Sequence, residues 1–484
     1  MGGIPQLRPY QDQAIQDIRA AFMSGSKRVV LRSEVGSGKT VMFSYLAYKS
    51  IENNTCVMVV CNRQKLVRQS AKTLERFGLN PYILMQTGLP SPKTKLIVAS
   101  ADTLRHREWP EWVKMIVIDE CHLANFSKVL DKAVEQNLWV LGVSATPIPN
   151  KSNKLDQYYQ SMVRTLPTEQ HILSGDLVWD CYLAPKTVPD MKGIGLHKTA
   201  YGNDYNEKAM YAVYNKPKVY DDMIQNWLKI CRDMRTVCFC ISVEHSKNTA
   251  ENFRRHGISA IHLDGNTPEV EREQIQEAFE RGEYKVLCNC AIFTFGWDCP
   301  SIECVVVNRA TASYELWRQM IGRGARPYQG KERFWVIDQG NNYRKHGGLI
   351  DEVEWSLAAP KKKKKKDDLN VSPRKECPKC EALVPISTMV CPACSHVWEK
   401  KEGQLAKSEF EVIKPKVLST WPIKMEYGNV LDYVRDCIRY ANQKSYHSNS
   451  ILHQIKVFPD AVEAYGTLKG YKNGWQRHQK ALTL

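Results

Sequence analysis

The stretch Ser33-Glu34-Val35-Gly36-Ser37-Gly38-Lys39-Thr40 follows an apolar run at 28–31 and opens a helical pattern. A strand that hands a glycine-rich turn to a helix N-terminus is the setting a phosphate-binding loop requires. Gly36 and Gly38, with Ser37 between them, let backbone N–H groups approach phosphate with no Cβ in the way. Lys39 is placed to reach the β- and γ-phosphates of a nucleoside triphosphate, and the Thr40 hydroxyl to ligate Mg²⁺. The usual first glycine of such a loop is Ser33 here, a departure from the strict pattern.

Downstream, β-rich apolar runs at 56–61, 95–100, 115–119 and 139–143 alternate with helical patterns, among them the amphipathic QKLVRQSAKTLERFG that ends at Gly78. Strands that are apolar throughout and separated by helices predict a parallel sheet covered on both faces. A second series has strands expected at 236–241, 260–263, 285–288, 303–307 and 334–337, with helices at 245–256, 269–281 and 314–321. Residues 150–215 are polar and irregular and receive no assignment. Two α/β units in tandem imply a cleft between them, with ligand sites at the strand C-terminal ends.

The fourth expected strand of the first unit runs Ile116-Val117-Ile118-Asp119-Glu120-Cys121-His122 and ends in two carboxylates. Such a strand delivers Asp119 to a Mg²⁺ shell and sets Glu120 near an attacking water as general base. One strand later comes Ser144-Ala145-Thr146. In the second unit, Gly322-Arg323-Gly324-Ala325-Arg326 offers guanidinium groups to a phosphate held by the first. Domain closure would then bring positive charge to the transferring phosphoryl group, an effect typically worth about 10³–10⁵ in rate.

At 484 residues the chain has room for about three domains, and its 43% hydrophobic content is ordinary for a chain with real cores. No run approaches the roughly 20 apolar residues of a membrane span, and the N-terminus has no signal-peptide stretch. A cytoplasmic protein is expected, or a nuclear one in a eukaryote. The net charge of +16 suggests a polyanionic partner. Residues 360–484 hold 23 basic and 13 acidic side chains, so +10 of it lies in the last quarter. Of the 16 cysteines, most sit singly in apolar runs and read as buried thiols. Cys377, Cys380, Cys391 and Cys394 form two C-x₂-C pairs ten residues apart, the spacing of a structural Zn²⁺ site closed by four thiolates.

The order of phosphate loop, DECH box, SAT and GRGAR resembles the superfamily 2 helicases over about residues 7–350. Within them the chain looks most like the bacterial RadD-like DNA helicases, prophage or phage relatives included. The resemblance rests on FTFGWDCPSIECVVVNRATASYELWRQMIGRGARPYQGKERFWVID, the paired CPxC motifs and a late GYKNGW. It implies an α/β fold of two tandem RecA-like domains, with a C-terminal zinc-ribbon-like module and a small C-terminal domain. The expected boundaries are 1–150 and 216–358 for the RecA-like domains, 151–215 for a connecting segment, 359–375 for a Lys-rich linker, 376–400 for the four-cysteine zinc module and 401–484 for a basic terminal domain. It also implies roles. Arg8, Tyr10 and Gln11 match the segment that reads adenine. Arg63, Gln69 and Thr103 match first-domain contacts to nucleic-acid backbone, and Ser144 and Thr146 the element coupling hydrolysis to strand movement. Gly296 and Asp298 match a loop touching ribose and nucleic acid, and Gln319, Arg323 and Arg326 the motif facing ATP from the second domain. ATP, Mg²⁺ and Zn²⁺ are the implied cofactors. DNA, single-stranded or branched, is the implied partner, with a protein partner possible through the zinc module. An RNA helicase, a restriction-system motor subunit and a non-catalytic nucleic-acid adaptor are the alternatives.

Overall fold

The computed structural model describes residues 6–62, 64–84, 88, 90–148, 155–185, 191, 193–199, 202–293, 297–351, 353 and 355–358, and beyond these 374–376, 378, 382–385, 396, 410–413, 430, 434, 437, 461 and 465. The chain divides into two compact units. The first runs to Val371 and takes in the strand Phe410–Ile413, and the second holds most of the C-terminal remainder.

The first unit contains two sheets. The N-terminal sheet is built from β1 (Arg28–Arg32), β2 (Cys56–Cys61), β3 (Tyr82–Leu84), β4 (Leu96–Ser100), β5 (Val113–Asp119), β6 (Trp139–Ser144) and β7 (Ser161–Arg164). Its order is β3-β4-β2-β5-β6-β1-β7, and every pairing is parallel. Alternation along each strand splits the apolar residues between two cores. Met58, Val60, Ile116 and Ile118 pack on one face, and Val57, Val59, Met115 and Val117 on the other. Helices therefore cover both faces, the arrangement that lets a parallel sheet bury near-continuous Val and Ile runs.

The second sheet holds β8 (Trp179–Pro185), β11 (Thr236–Cys240), β12 (Ala260–Leu263), β13 (Val286–Asn289), β14 (Cys304–Asn308) and β15 (Arg333–Asp338), in parallel order β12-β13-β11-β14-β15-β8. A short antiparallel hairpin, β9 (Leu196–Thr199) and β10 (Gly202–Tyr205), stands apart from both. Asp204 of that hairpin is buried and accepts hydrogen bonds from Arg309 Nη2 at 2.8 Å and from the Ala312 amide at 2.7 Å.

Two stretches hold strands that the sequence left unassigned. The connecting segment 151–215 supplies β7 to the first sheet and β8 to the second. β8 escaped notice because the acidic Asp180 interrupts its apolar run. That carboxylate is buried, accepting from the Tyr182 hydroxyl at 2.6 Å and the Leu349 amide at 2.8 Å. The strand Phe410–Ile413, expected in a basic terminal domain, instead pairs antiparallel with β8, Val412 opposite Leu183. An otherwise open sheet edge is thereby covered.

The expected zinc ligands Cys377, Cys380, Cys391 and Cys394 lie outside the described residues, as do Arg63, Gly296 and the side chain of Gln69. In the second unit, Val430, Val434, Cys437, Ala461 and Tyr465 are helical, and the last four are fully buried. Tyr465 is thus a core residue.

Candidate active site

The phosphate loop leaves the end of β1 and is tied to its neighbour strand, because the Ser33 amide donates to the Ser144 carbonyl at 3.1 Å. Gly36 and Gly38 take φ of 85° and 79°, left-handed values that glycine adopts without penalty. Gly38 caps the helix Lys39–Glu52, so the free amides and positive dipole end of that helix face the loop. Lys39 folds back over the loop, its Nζ donating to the Glu34 carbonyl at 3.1 Å and the Ser33 carbonyl at 3.4 Å. Burial depresses the Lys39 ammonium below its ordinary value, with Glu120, Asp119 and Glu34 opposing that shift. Its charge is therefore held between carboxylates and the place where phosphates would lie.

The segment expected to read adenine is seated on the same loop. Tyr10 donates its hydroxyl to the Ser37 carbonyl at 2.6 Å, and Gln11 Nε2 donates to that carbonyl at 3.3 Å. A Cβ on Gly38 would lie 2.6 Å from Gln11 Nε2, so the glycine is required for this contact. Arg8 is more exposed and pairs with Asp176 at 2.6 Å.

β5 carries Asp119 and Glu120 to the cleft. Glu120 has φ of 52°, a left-handed conformation unusual for a side chain this size, of the kind that clusters at functional sites. Asp119 Oδ1 accepts from the Glu120 amide at 3.1 Å. Burial, reinforced by the Glu120 charge, pushes Asp119 up to about 7. Glu120 Oε1 accepts from Gln319 Nε2 of the second domain at 3.2 Å. Glu120 Oε2 and Thr146 Oγ1 are buried with no hydrogen-bond partner among the described residues. The Asp119 carboxylate at the end of β5 and the hydroxyl of the half-buried Thr40 are hard oxygen donors that fit Mg²⁺. These two are the residues that would hold it.

The second domain closes the site through the helix Tyr314–Ile321 and the turn after it. Ser313 caps this helix by accepting from the Leu316 amide at 3.2 Å, and residues 316–321 are all buried. Arg326 lies against the phosphate loop, its Cγ 3.2 Å from where a Cβ of Gly36 would sit. It also pairs with Asp298, and burial lowers its pKa to about 10. Arg323 differs from this, since its Nη1 donates to the Trp297 carbonyl and holds the loop that ends beside Asp298.

Several contacts of the site carried no sequence signal. His122 Nδ1 lies 2.6 Å from Ser144 Oγ, and its Nε2 meets Glu315 of the second domain. Ser144 Oγ in turn accepts from the Thr146 amide at 3.0 Å, so hydrogen bonds join the DECH box to the SAT segment and an ion pair joins His122 to the second domain. Thr165 donates to Ser33 Oγ at 3.0 Å, and Leu177 packs on Gly36, so the strand-to-strand connection also walls the loop. Of the expected nucleic-acid contacts, Thr103 pairs its hydroxyl with Ser100 at 2.9 Å at the start of a short helix.

Two family models match this chain, the Type III restriction enzyme res subunit over residues 4–149 and the Helicase conserved C-terminal domain over residues 216–328. This pair of domains, on two RecA-like sheets, marks a superfamily 2 helicase, an ATP-hydrolysing class that binds nucleic acid. A 51.5 kDa protein of Lactococcus phage (isolate 7-9) is 28% identical over 404 residues, covering 81% of this chain and 84% of its own length. A Saccharomyces cerevisiae protein carrying the ATP-dependent helicase name IRC3 is 28% identical over 362 residues, or 69% of this chain, but the chain spans only 51% of its length. Among solved structures, a type I restriction enzyme fragment from Vibrio vulnificus YJ016 shares the fold at a TM-score of 0.55 and 19% identity, over 70% of this chain and 65% of that one. Among the described residues no helix is long and apolar enough to cross a membrane.

Proposed function

We propose that this chain is a DNA-stimulated ATPase that moves along or remodels single-stranded or branched DNA, in repair, recombination or replication. The observation that carries this reading is the placement of Arg326 against Gly36 while Gln319 reaches Glu120. Groups from both domains meet at one phosphate site, so hydrolysis depends on closure and can be tied to motion.

Lys39 and the loop amides hold the β- and γ-phosphates. Glu120 orients a water and accepts its proton as the oxygen attacks the γ-phosphorus and the bond from that phosphorus to the β–γ bridging oxygen breaks, releasing ADP, while Arg326 balances charge on the transferring phosphoryl group. When bound, Mg²⁺ neutralises phosphate charge. The finer likeness to RadD-like helicases is proposed on residues 293–338 and the late GYKNGW. Zn²⁺ is proposed on the donor set of Cys377, Cys380, Cys391 and Cys394, four soft thiols in two pairs. The matched restriction-enzyme family favours one second reading, the motor part of a restriction system.

The test is the ATPase rate of the full chain with single-stranded, double-stranded and forked DNA and with RNA, beside a strand-displacement assay. Stimulation by DNA, absent in Lys39→Ala through weakened nucleotide binding and in Glu120→Gln with ATP still bound, is the expected result. Stimulation by RNA alone would reassign the substrate. Hydrolysis at the unmutated rate in either variant would remove the active-site assignment.

A further inference from the structure

The phosphate loop and the second domain meet in register. Three consecutive loop residues face three residues spaced four apart: Glu34 faces Arg318, Val35 faces Gly322, and Gly36 faces Arg326. A Cβ on Gly322 would lie 2.4 Å from Val35 Cγ1, so loop and turn touch as closely as glycine permits. Glu34 is the anomaly in this row. A carboxylate buried in such a loop stays charged only where cations face it.

Glu34 is 2% exposed and receives two guanidinium groups. Arg32, two residues earlier at the end of β1, donates to Oε1. Arg318 Nη2 of the second domain donates to Oε2 at 2.8 Å. Arg318 is itself held rigidly, its Nη1 donating to the Gly348 and Leu349 carbonyls at 2.9 and 2.7 Å. It also lies over the Tyr314 ring at 5.8 Å, and Arg32 lies over Trp355 at 4.8 Å. The flanking guanidiniums hold Glu34 down to about 2 against the opposing effect of burial, so the carboxylate is charged throughout the working pH range.

We infer that the Glu34–Arg318 pair is a positioning clamp, which sets the register in which the second domain docks on the phosphate loop and thereby places Arg326 over the γ-phosphate. Neither residue touches the reacting atoms, and both act through Arg326. The pair forms only when the domains close. Without Arg318, closure buries a loop carboxylate with one partner fewer, and without Glu34 it buries Arg318 facing another cation, Arg32. Breaking one side of a buried pair is costly because the remaining charge loses its partner. Misplacement of a catalytic group by about 1 Å costs about 10²-fold in rate.

This inference rests on the proposed ATPase reading, and its experiment separates the two. Arg318→Met, Glu34→Gln and the double variant are compared with the unmutated full chain in DNA-stimulated kcat and in ATP affinity measured by direct binding. Each single variant should lose about 10–100-fold in kcat while ATP affinity stays within about twofold, because Lys39 and the loop amides are untouched. The double variant should be no slower than the slower single, since the two act as one unit. Arg318→Lys should restore only part of the rate, because an ammonium cannot keep the carboxylate and both carbonyls together. Unchanged kcat in Arg318→Met, additive losses in the double, or equal loss of binding and turnover would each overturn the clamp. If the unmutated chain hydrolyses no nucleotide, the ATPase reading fails instead. The clamp is then read from the distance between fluorophores attached through unnatural amino acids at the exposed positions Met23 and Val270. That distance should broaden and lengthen in both single variants, and an unchanged distance would overturn it.

Discussion

Lys39, Asp119 and Glu120 could be singled out because their proposed chemistry depends on residue type at short, fixed spacing, and Gln319 and Arg326 because they match a family motif. Glu34, Arg318, Glu315 and Leu177 were not, because each acts through a partner tens to hundreds of residues away that no local pattern reveals. His122 shows the difference within one motif. Its place in the DECH box is plain, but its bond to Glu315 exists only in the assembled interface. Burial opposes a charged imidazole there, yet Glu315, Glu120 and Asp119 outweigh it and hold His122 above its ordinary 6.5. A raised histidine contributes stability that is fully present below 6.5 and is lost as pH rises through its folded value. The unmutated chain should therefore melt higher than Glu315→Gln below pH 6.5, and the gap should narrow as pH rises above that value. Melting curves of both proteins across that range provide the measurement, and a gap independent of pH would show that His122 stays neutral.

The central elements followed from hydrophobic runs alone. The helices at 269–281 and 314–321 and the strand at 56–61 stand where the apolar pattern placed them. The elements that escaped are short or sit at sheet margins, where strands need fewer apolar residues and polar ones are tolerated. β3 and β7 flank the first sheet, and β8 carries a buried aspartate whose partners come from residues near 349. The helix Tyr314–Ile321 makes a different point about elements. It is buried on every side of its last six residues, so its packing leaves no room for additions. Gly322→Ala should test this at the domain contact, because the new methyl would lie 2.4 Å from Val35 Cγ1 and 2.9 Å from the Arg318 carbonyl. Overpacking of this kind costs about 1–3 kcal/mol, here opposing closure through Val35 and straining the end of the second domain's own helix through the Arg318 carbonyl. Turnover should fall about tenfold or more, by RT ln 10 of about 1.4 kcal/mol, while ATP binding to the first domain is kept. Gly265→Ala, where nothing lies within 4 Å, is the matched control. Equal turnover in the two variants would mean that the contact is not made during hydrolysis.

At the scale of the whole molecule, the sequence suggested a catalytic body ending near residue 358 and a separable basic tail. The pairing of Phe410–Ile413 with β8 argues for a later division. β8 is buried along nearly its whole length, and without its antiparallel neighbour it would present unpaired backbone groups beside an apolar core. Such an edge recruits other chains. A chain ending at residue 358 should therefore melt several degrees below one ending at residue 415 and should aggregate on concentration. The longer truncation should stay monodisperse. Residues 416–484, missing from both, carry 10 basic and 5 acidic side chains, so both should bind DNA more weakly than the full chain. Each phosphate no longer engaged should flatten the log–log salt dependence of affinity by about 0.7–0.9. Light scattering, melting curves and salt titrations of the three proteins separate the two roles of this region. If the chain ending at residue 358 matched the longer one in melting temperature and solubility, the added strand would be dispensable to the sheet. If neither truncation altered the salt slope, the terminal charge would lie off the nucleic-acid path, and the region would serve to choose a protein partner instead.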